Sequence, residues 1–300
     1  MSMTRYPYII VVIPAYNEEE SIGALIKKIK EEYIQADTRG YWLDIIVVND
    51  GSRDKTAQVA KECGVKLVVH HSINRGLGAA TRIGLQRAYE LGADVAVKID
   101  ADFQHDPADI DKLVKPILED WADCVFGSRL RGGLQYNMPL YRAVGNRFFS
   151  WLVSWLTGLK ITDAQTGLMA FSKRYLKDFK IVSDYNETQQ LIMDACGRNM
   201  RIIEVPVVFH RRKKGKSFIS WRYPFRVLPV IIRLFVEISP LKVFLPMGIL
   251  SILFGVFIAI SVTIAGKESF FGDATISILI VGGIQIILFG LLADKMTKRS

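Results

Sequence analysis

Two uncharged apolar stretches near the carboxyl end constrain the fold of this chain more than any other feature. Val243 to Gly266 follows Lys242, and Ala274 to Ala293 follows a short polar loop, Lys267-Glu268-Ser269-Phe270-Phe271-Gly272-Asp273. Each is about 20 residues or slightly more, enough to cross a bilayer core as a helix. The pair therefore reads as a transmembrane helical hairpin; the competing reading is a buried core hairpin in a soluble protein. The hydrophobic fraction of 50% and the positive mean hydropathy are high for a purely soluble chain.

Basic residues flank the two spans unevenly. Lys213, Lys214, Lys216, Arg222, Arg226, Arg233 and Lys242 precede the first, and Lys295, Lys298 and Arg299 follow the second. The connecting loop holds a single lysine. The positive-inside tendency then expects both termini, and everything before residue 240, on the cytoplasmic side of the cell membrane. No amino-terminal signal peptide is expected, because Met1 to Pro7 runs directly into an apolar strand pattern. The net charge of +9 suits a membrane-proximal segment facing anionic headgroups, and no nucleic-acid motif accompanies it. Cys63, Cys124 and Cys196 are odd in number and widely spaced, which fits small core residues in a reducing compartment.

Before residue 218, apolar runs of strand length alternate with amphipathic segments of helix length. Strands are expected at Tyr8–Ile13, Asp44–Val48, Val65–Val69 and Val95–Ile99, and further ones at Cys124–Phe126, Leu168–Phe171 and Ile202–Val208. Helices are expected at Glu18–Tyr33, Asp54–Cys63 and Leu77–Leu91, the first with Ile22, Leu25, Ile26 and Ile29 on one face. This alternation predicts a largely parallel α/β sheet covered on both faces. Residues 218–241 differ: aromatics stand beside Arg222, Arg226 and Arg233, and Pro224 and Pro229 break the segment. They suit amphipathic helices in the membrane interface, or a linker packed on the soluble domain. The expected organisation is thus 1–217, 218–241 and 242–300.

Three polar clusters fall where strands end: Pro14-Ala15-Tyr16-Asn17-Glu18, Asn49-Asp50-Gly51-Ser52-Arg53-Asp54, and Asp100-Ala101-Asp102. Ligands of open α/β sheets gather at such carboxyl edges, and three clusters converging on one crevice are how a nucleotide site is built. Asp50 can accept hydrogen bonds from a base, and Glu18 or Asp100 from a ribose; Ser52 and Asp54 are read as helix caps. Two carboxylates beside the amide oxygen of Gln104 suit Mg²⁺ or Mn²⁺ better than zinc, and a solvated acidic turn is the alternative. Gly76-Leu77-Gly78-Ala79-Ala80-Thr81 is rejected as a dinucleotide fingerprint and Gly215-Lys216-Ser217 as a phosphate-binding loop. His105 either touches metal or phosphate or lines the loop, with the second preferred. His70 and His71 have no acid spaced to make them ligands. Trp151 and Trp155 lie one turn apart on a helix, facing lipid or core.

Four motifs stand in order: Val-Ile-Pro-Ala-Tyr-Asn-Glu-Glu (12–19), Val-Asn-Asp-Gly-Ser-Arg-Asp-Lys-Thr (48–56), Asn-Arg-Gly-Leu-Gly-Ala-Ala (74–80) and Asp-Ala-Asp-Phe-Gln (100–104). Over roughly residues 8–217 the chain resembles glycosyltransferase family 2, and within it the polyprenyl-phosphate hexose synthases such as the dolichol-phosphate mannose synthases. The resemblance implies a GT-A fold, a cytosolic sugar nucleotide donor such as GDP-mannose or UDP-glucose, and inverting transfer of one hexose to a polyprenyl or dolichyl phosphate. It places Pro14, Tyr16, Glu18, Val48 and Asp50 around the nucleotide. It gives Asp100, Ala101 and Asp102 to ribose, diphosphate and metal, with Gln104 as a further ligand. Arg129 of Gly-Ser-Arg (127–129) then faces the phosphates, Arg142 and Asn146 grip the acceptor phosphate, and Arg212, after Glu-Val-Pro (204–206) and Phe209, binds donor. The family's lysine is replaced by Phe218, for which Lys214 or Lys216 is the nearest substitute.

If the acceptor is a phosphate, it is already anionic and needs no general base, only arginines and a metal. A hydroxyl acceptor would require a carboxylate base, for which Asp163 in Thr162-Asp163-Ala164-Gln165-Thr166-Gly167 is the candidate; a structural turn is the preferred reading of that motif. A third reading is a membrane-tethered sugar-nucleotide-binding protein without transfer activity. The Gln-x-x-Arg-Trp of processive synthases is absent, which favours a single transfer.

Overall fold

The computed structural model describes residues 5–34, 40–132, 140–184, 187–210, 240–265 and 270–297. The chain divides into two compact units, residues 1–221 and 222–300.

In the first unit strands and helices alternate. The chain runs through β1 (Tyr8–Ala15), α1 (Ile22–Ile29), β2 (Trp42–Asn49), α2 (Thr56–Glu62), β3 (Leu67–His70), α3 (Leu77–Glu90) and β4 (Val95–Lys98). It continues through α4 (Ile110–Leu118), β5 (Cys124–Ser128), the single turn α5 (Arg129–Gly132), α6 (Leu140–Thr157), β6 (Met169–Ser172), α7 (Lys173–Leu176), α8 (Glu187–Gly197) and β7 (Ile202–Pro206). The seven strands form one sheet in the order β3-β2-β1-β4-β6-β5-β7. β6 runs antiparallel to β4 and β5, and every other pair is parallel. The expected largely parallel sheet is present, with one strand reversed.

The alternation of side chains along β1 divides the core into two layers. Ile9, Val11 and Ile13 pack with Ile22, Leu25 and Ile26 of α1 and with Leu113 of α4. Ile10 and Val12 point the other way, with Leu85 and Ala88 of α3 and Leu191 of α8. Burial on both faces is why this strand reads as an unbroken apolar run. On α1 all four residues of the expected face are fully buried. The helix begins at Ile22 rather than Glu18 and ends in a π-helical turn over Lys30–Ile34.

The parallel strands bring their carboxyl ends to one edge of the sheet. Ala15 pairs with Asn49, and Ser128 with Pro206. Because β6 is reversed, Met169 at its start pairs with Lys98 at the end of β4, so the turn preceding β6 reaches that same edge.

The second unit holds two helices, α9 (Pro240–Ala265) and α10 (Phe270–Thr297). Segments Pro240–Ile264 and Asp273–Met296 are long and apolar enough to cross a membrane. They pack closely where Gly248 and Gly283 face each other: a Cβ on Gly248 would lie 2.6 Å from the Gly283 carbonyl oxygen. Small residues at such a contact are what lets membrane helices approach. Ser251 Oγ donates to the Leu279 carbonyl at 2.8 Å. Leu250, Phe257, Ile264, Ile278 and Phe289 are exposed on the hairpin. Of the segment 218–241, expected to form interfacial helices, residues 218–239 lie outside the described residues, and Pro240 and Leu241 instead open α9.

Candidate active site

Loops leaving β1 and β2 are knitted into one body. Asn17 N–H donates to Ser52 Oγ, Glu18 N–H to Thr56 Oγ1 and Glu19 N–H to Asp54 Oδ2. In return Arg53 N–H donates to Asn17 Oδ1 and Lys55 N–H to Glu19 Oε2. Asn17 sits at φ +53°, a left-handed conformation that asparagine tolerates well. This knitting also explains the late start of α1. Neither expected cap takes that place: Lys55 is the N-cap of α2 and makes no side-chain cap bond, Asp54 one residue earlier accepts from Thr56 N–H, and Ser52 joins the two loops.

Pro14 and Val48 are register partners beneath this body. Tyr16 lies half-buried in the first loop. Glu18 is 8% exposed, and one of its oxygens accepts from Ser21 Oγ at 2.6 Å. Asp50 is buried, and its carboxylate accepts from Arg75 N–H at 3.0 Å and Gly76 N–H at 2.8 Å. His71 Nδ1 adds a third contact to Asp50, at 2.6 Å. The structure therefore ties Asp50 to the loop between β3 and α3. His71 finds in space the acid that its sequence neighbourhood lacks. Gly76, at φ +104°, allows the sharp entry into α3 beside the Asp184 carbonyl.

The acidic pair follows β4. Asp102 Oδ1 accepts from Gln104 N–H at 3.1 Å, closing a tight turn with Phe103 at φ +58°. A bulky residue held in that conformation stores strain of about 1–3 kcal/mol. The turn is strapped by the chain beyond β7: His210 N–H donates to the Gln104 carbonyl, and Gln104 Nε2 to the His210 carbonyl. Ala101 is buried beneath it. Asp100 Oδ1 lies 2.5 Å from Nζ of Lys98, a fully buried ammonium that also reaches Glu187 Oε1 at 3.2 Å. Burial works against that charge, but the two carboxylates outweigh it and hold Lys98 above the usual lysine range.

His105 is buried and lines the loop. Burial pushes its imidazole down to about 3, so it is neutral. Its Nε2 accepts from Gly167 N–H at 3.2 Å, which assigns the proton to Nδ1. Its ring meets Phe209 edge-on, with centroids 4.9 Å apart, and the Arg129 guanidinium lies 4.9 Å from the same Phe209 ring.

Arg129 itself is held by Asp163. Its Nε and Nη2 donate to the two oxygens of Asp163 at 2.7 and 2.8 Å, and its N–H adds a third bond. Asp163 is fully buried. Burial alone would raise its carboxyl, but Arg129 and the Gln165 N–H hold it below the usual carboxylate range. Asn146 is 2% exposed, and its Nδ2 donates to Asp163 Oδ1 at 3.2 Å. Glu204 completes the frame by accepting from the N–H groups of Thr162 and Asp163. The backbone of Arg142 belongs to α6, but its side chain lies outside the described residues, as do Arg212, Lys214, Lys216 and Phe218.

Apart from Arg212, which lies outside the described residues, the expected donor and metal residues stand at one sheet edge, with the Arg129–Asp163–Asn146 frame at the same edge. Two carboxylates and the Gln104 amide are hard oxygen donors. Among the described residues no third acid, histidine or cysteine completes a metal-holding cluster. Such a set fits Mg²⁺ or Mn²⁺ that takes its remaining ligands from a diphosphate. Lys98 and Glu187 went unnoticed in the sequence, although a lysine interrupting the apolar run 95–99 was the signal. A separate cavity of 490 Å³ opens at the opposite edge of the sheet; there Arg201 is paired with Asp120 and Asp123, and Lys173 with Asp94. It carries none of the motifs.

Comparisons with known proteins agree with this fold. The chain is 36% identical over 222 residues to the UDP-N-acetylglucosamine--dolichyl-phosphate N-acetylglucosaminyltransferase of Methanococcus voltae, covering 66% of this chain and 84% of that protein. It is 30% identical over 226 residues to the undecaprenyl-phosphate mannosyltransferase of Micrococcus luteus, covering 71% and 87%. Among solved structures, glucosyl-3-phosphoglycerate synthase from Mycobacterium tuberculosis in complex with Mn²⁺ and UDP-glucose shares the fold. Its TM-score is 0.60 at 22% identity, over 76% of this chain and 79% of that one. Residues 239–298 match the GtrB C-terminal hairpin. Residues 10–178, over half of the chain, match the model of glycosyl transferase family 2, and the chain belongs to that family and is a glycosyltransferase.

Proposed function

We propose that this enzyme moves one hexose, with inversion, from a sugar nucleotide such as GDP-mannose or UDP-glucose to a polyprenyl or dolichyl phosphate at the cytoplasmic face of the membrane. The observation that carries the reading is the meeting of donor loops and acidic pair at one sheet edge, in a chain that also holds two membrane-length apolar helices. The relative named for UDP-N-acetylglucosamine and dolichyl phosphate adds an N-acetylated hexose to the donors worth testing.

Helix α6 supports a lipid acceptor. Val144, Phe148, Trp151 and Trp155 follow helical spacing, and all four are exposed. Exposure favours the lipid-facing alternative for the two tryptophans, since such rings settle at membrane interfaces. Asn146 and Ser150, buried on the same helix, bond to Asp163 and the Ala164 N–H. One helix would thus connect the acceptor side of the site with a lipid surface.

In this reading the acceptor phosphate attacks the anomeric carbon as an anion, so the protein's task is to hold two negatively charged partners together. Asp102, Asp100 and Gln104 would hold a Mg²⁺ or Mn²⁺ ion, which would supply charge stabilisation to the departing diphosphate. Pro14, Tyr16, Glu18, Val48 and Asp50 shape the nucleotide pocket. Asp163 matches the charge of Arg129, and the family resemblance gives Arg142 to the acceptor phosphate and Arg212 to the donor. The hydroxyl-acceptor reading is weakened by the same pair: a buried carboxylate locked bidentate onto arginine and held below its usual range is a poor proton acceptor.

The test incubates membranes containing the enzyme with labelled sugar nucleotides and polyprenyl phosphate and then extracts the lipid. Metal-dependent labelling of the lipid by one donor is the expected result. No labelled lipid from any donor would sink the proposal.

A further inference from the structure

Lys98 closes a strand in which Val95, Ala96 and Val97 are buried and apolar, and Ile99 follows it. Its own side chain is 0% exposed. Lysine is almost never fully buried unless paired, and an apolar residue of similar volume is often no less stable than a buried ion pair. Packing therefore gives no reason for a charge here, and its two partners supply one.

Asp100 is gripped from two sides. Its Oδ1 lies 2.5 Å from Lys98 Nζ, and its Oδ2 faces Gly167, where an added Cβ would stand only 1.9 Å away. Glu187 of α8 is 5% exposed and completes the arrangement from 89 residues further along, at 3.2 Å from the ammonium. Two carboxylates, Asp100 and Glu187, thus meet the one Lys98 ammonium.

We propose that Lys98 and Glu187 are a positioning pair for the acidic motif. Lys98 fixes the Asp100 carboxylate and lowers the attraction of the empty site for a divalent cation, so that tight cation binding awaits the diphosphate of the donor. Glu187 holds the ammonium in place and limits its effect. This inference rests on the metal-dependent reading above.

The charge balance gives an ordered test. Lys98→Met adds one net negative charge around the acidic pair, Glu187→Gln removes one, and the double variant leaves the net charge unchanged. Mn²⁺ binding to the detergent-solubilised full chain is measured by electron paramagnetic resonance, with and without a nucleoside diphosphate, alongside thermal unfolding. Without nucleotide, Lys98→Met is expected to bind Mn²⁺ about tenfold or more tightly than wild type, and Glu187→Gln correspondingly more weakly. The double variant should bind like wild type, yet its transfer rate should fall, because the grip on Asp100 is lost. The increment in Mn²⁺ affinity produced by the diphosphate should shrink in Lys98→Met.

A merely structural pair would lower the melting temperature in each variant without this order of affinities. Equal Mn²⁺ affinities in all variants, or weaker binding in Lys98→Met, overturn the inference. Should Lys98→Met fail to fold, wild type against Glu187→Gln and the double variant still decides, because Glu187→Gln alone must weaken binding. Wild type that binds no Mn²⁺ even with nucleoside diphosphate would instead overturn the metal reading itself.

Discussion

Asp163→Asn separates an anchoring role from a catalytic one. Asp163 is fully buried and accepts from Arg129 Nε and Nη2 at 2.7 and 2.8 Å, and the Arg129 side chain is only 11% exposed. Removing one partner of such a buried pair costs about 3–5 kcal/mol. At roughly 2–4 °C per kcal/mol for a domain of this size, the melting temperature should fall by roughly 6–20 °C. Arg129→Met should fall in the same range, and the double variant should recover at least half of the loss, since neither charge is then stranded. Acid dependence has a definite sign. The folded carboxyl is held below its unfolded value of about 3.9, so the pair's stabilisation is complete above that pH. It is lost as pH falls through the depressed folded value, and the Asn variant should lack that loss. The assay is tryptophan fluorescence on heating in detergent, with transfer activity measured on the folded fraction. An Asp163→Asn protein that melts within about 2 °C of wild type but transfers no sugar would refute the anchor and restore the general base.

Three further outcomes are expected. Asp102→Ala should abolish transfer while the protein still sediments with membranes; full activity with Mn²⁺ would show the metal site to be misplaced. Gly167→Ala puts a Cβ 1.9 Å from Asp100 Oδ2 and 3.0 Å from His105 Nε2, so Asp100 must move. It should weaken donor binding by calorimetry and cost about 1–3 kcal/mol of stability, and wild-type affinity would contradict the close contact. Gly283→Leu places its Cβ 2.7 Å from the Gly248 carbonyl oxygen and should part α9 from α10, read as earlier unfolding in detergent; an unchanged melt would count against the packing.

Much of the fold was legible because burial leaves a period in the sequence. The face Ile22, Leu25, Ile26 and Ile29 reads directly as a helix packed on a sheet, and all four residues are buried. The strand ends were legible too, since polar clusters interrupt apolar runs at one edge. The direction of β6 was not: an apolar run of strand length carries no sign of whether it runs up or down the sheet. Long-range pairing was equally hidden. Asp50 meets a loop 25 residues on, Arg129 meets Asp163, and Lys98 meets Glu187. Each partner is set by topology, and a charge in sequence does not announce which opposite charge the fold will deliver.

The knitted loops after β1 and β2 have an energetic consequence. Asn17 and Ser52 belong to motifs 35 positions apart, yet the chain uses them as one mechanical part. Breaking either side releases the other, so losses from Asn17→Ala and Thr56→Ala should not sum. The pair should cost little more than the worse of the two. A ledger of the donor site compiled one residue at a time would count the same jaw twice.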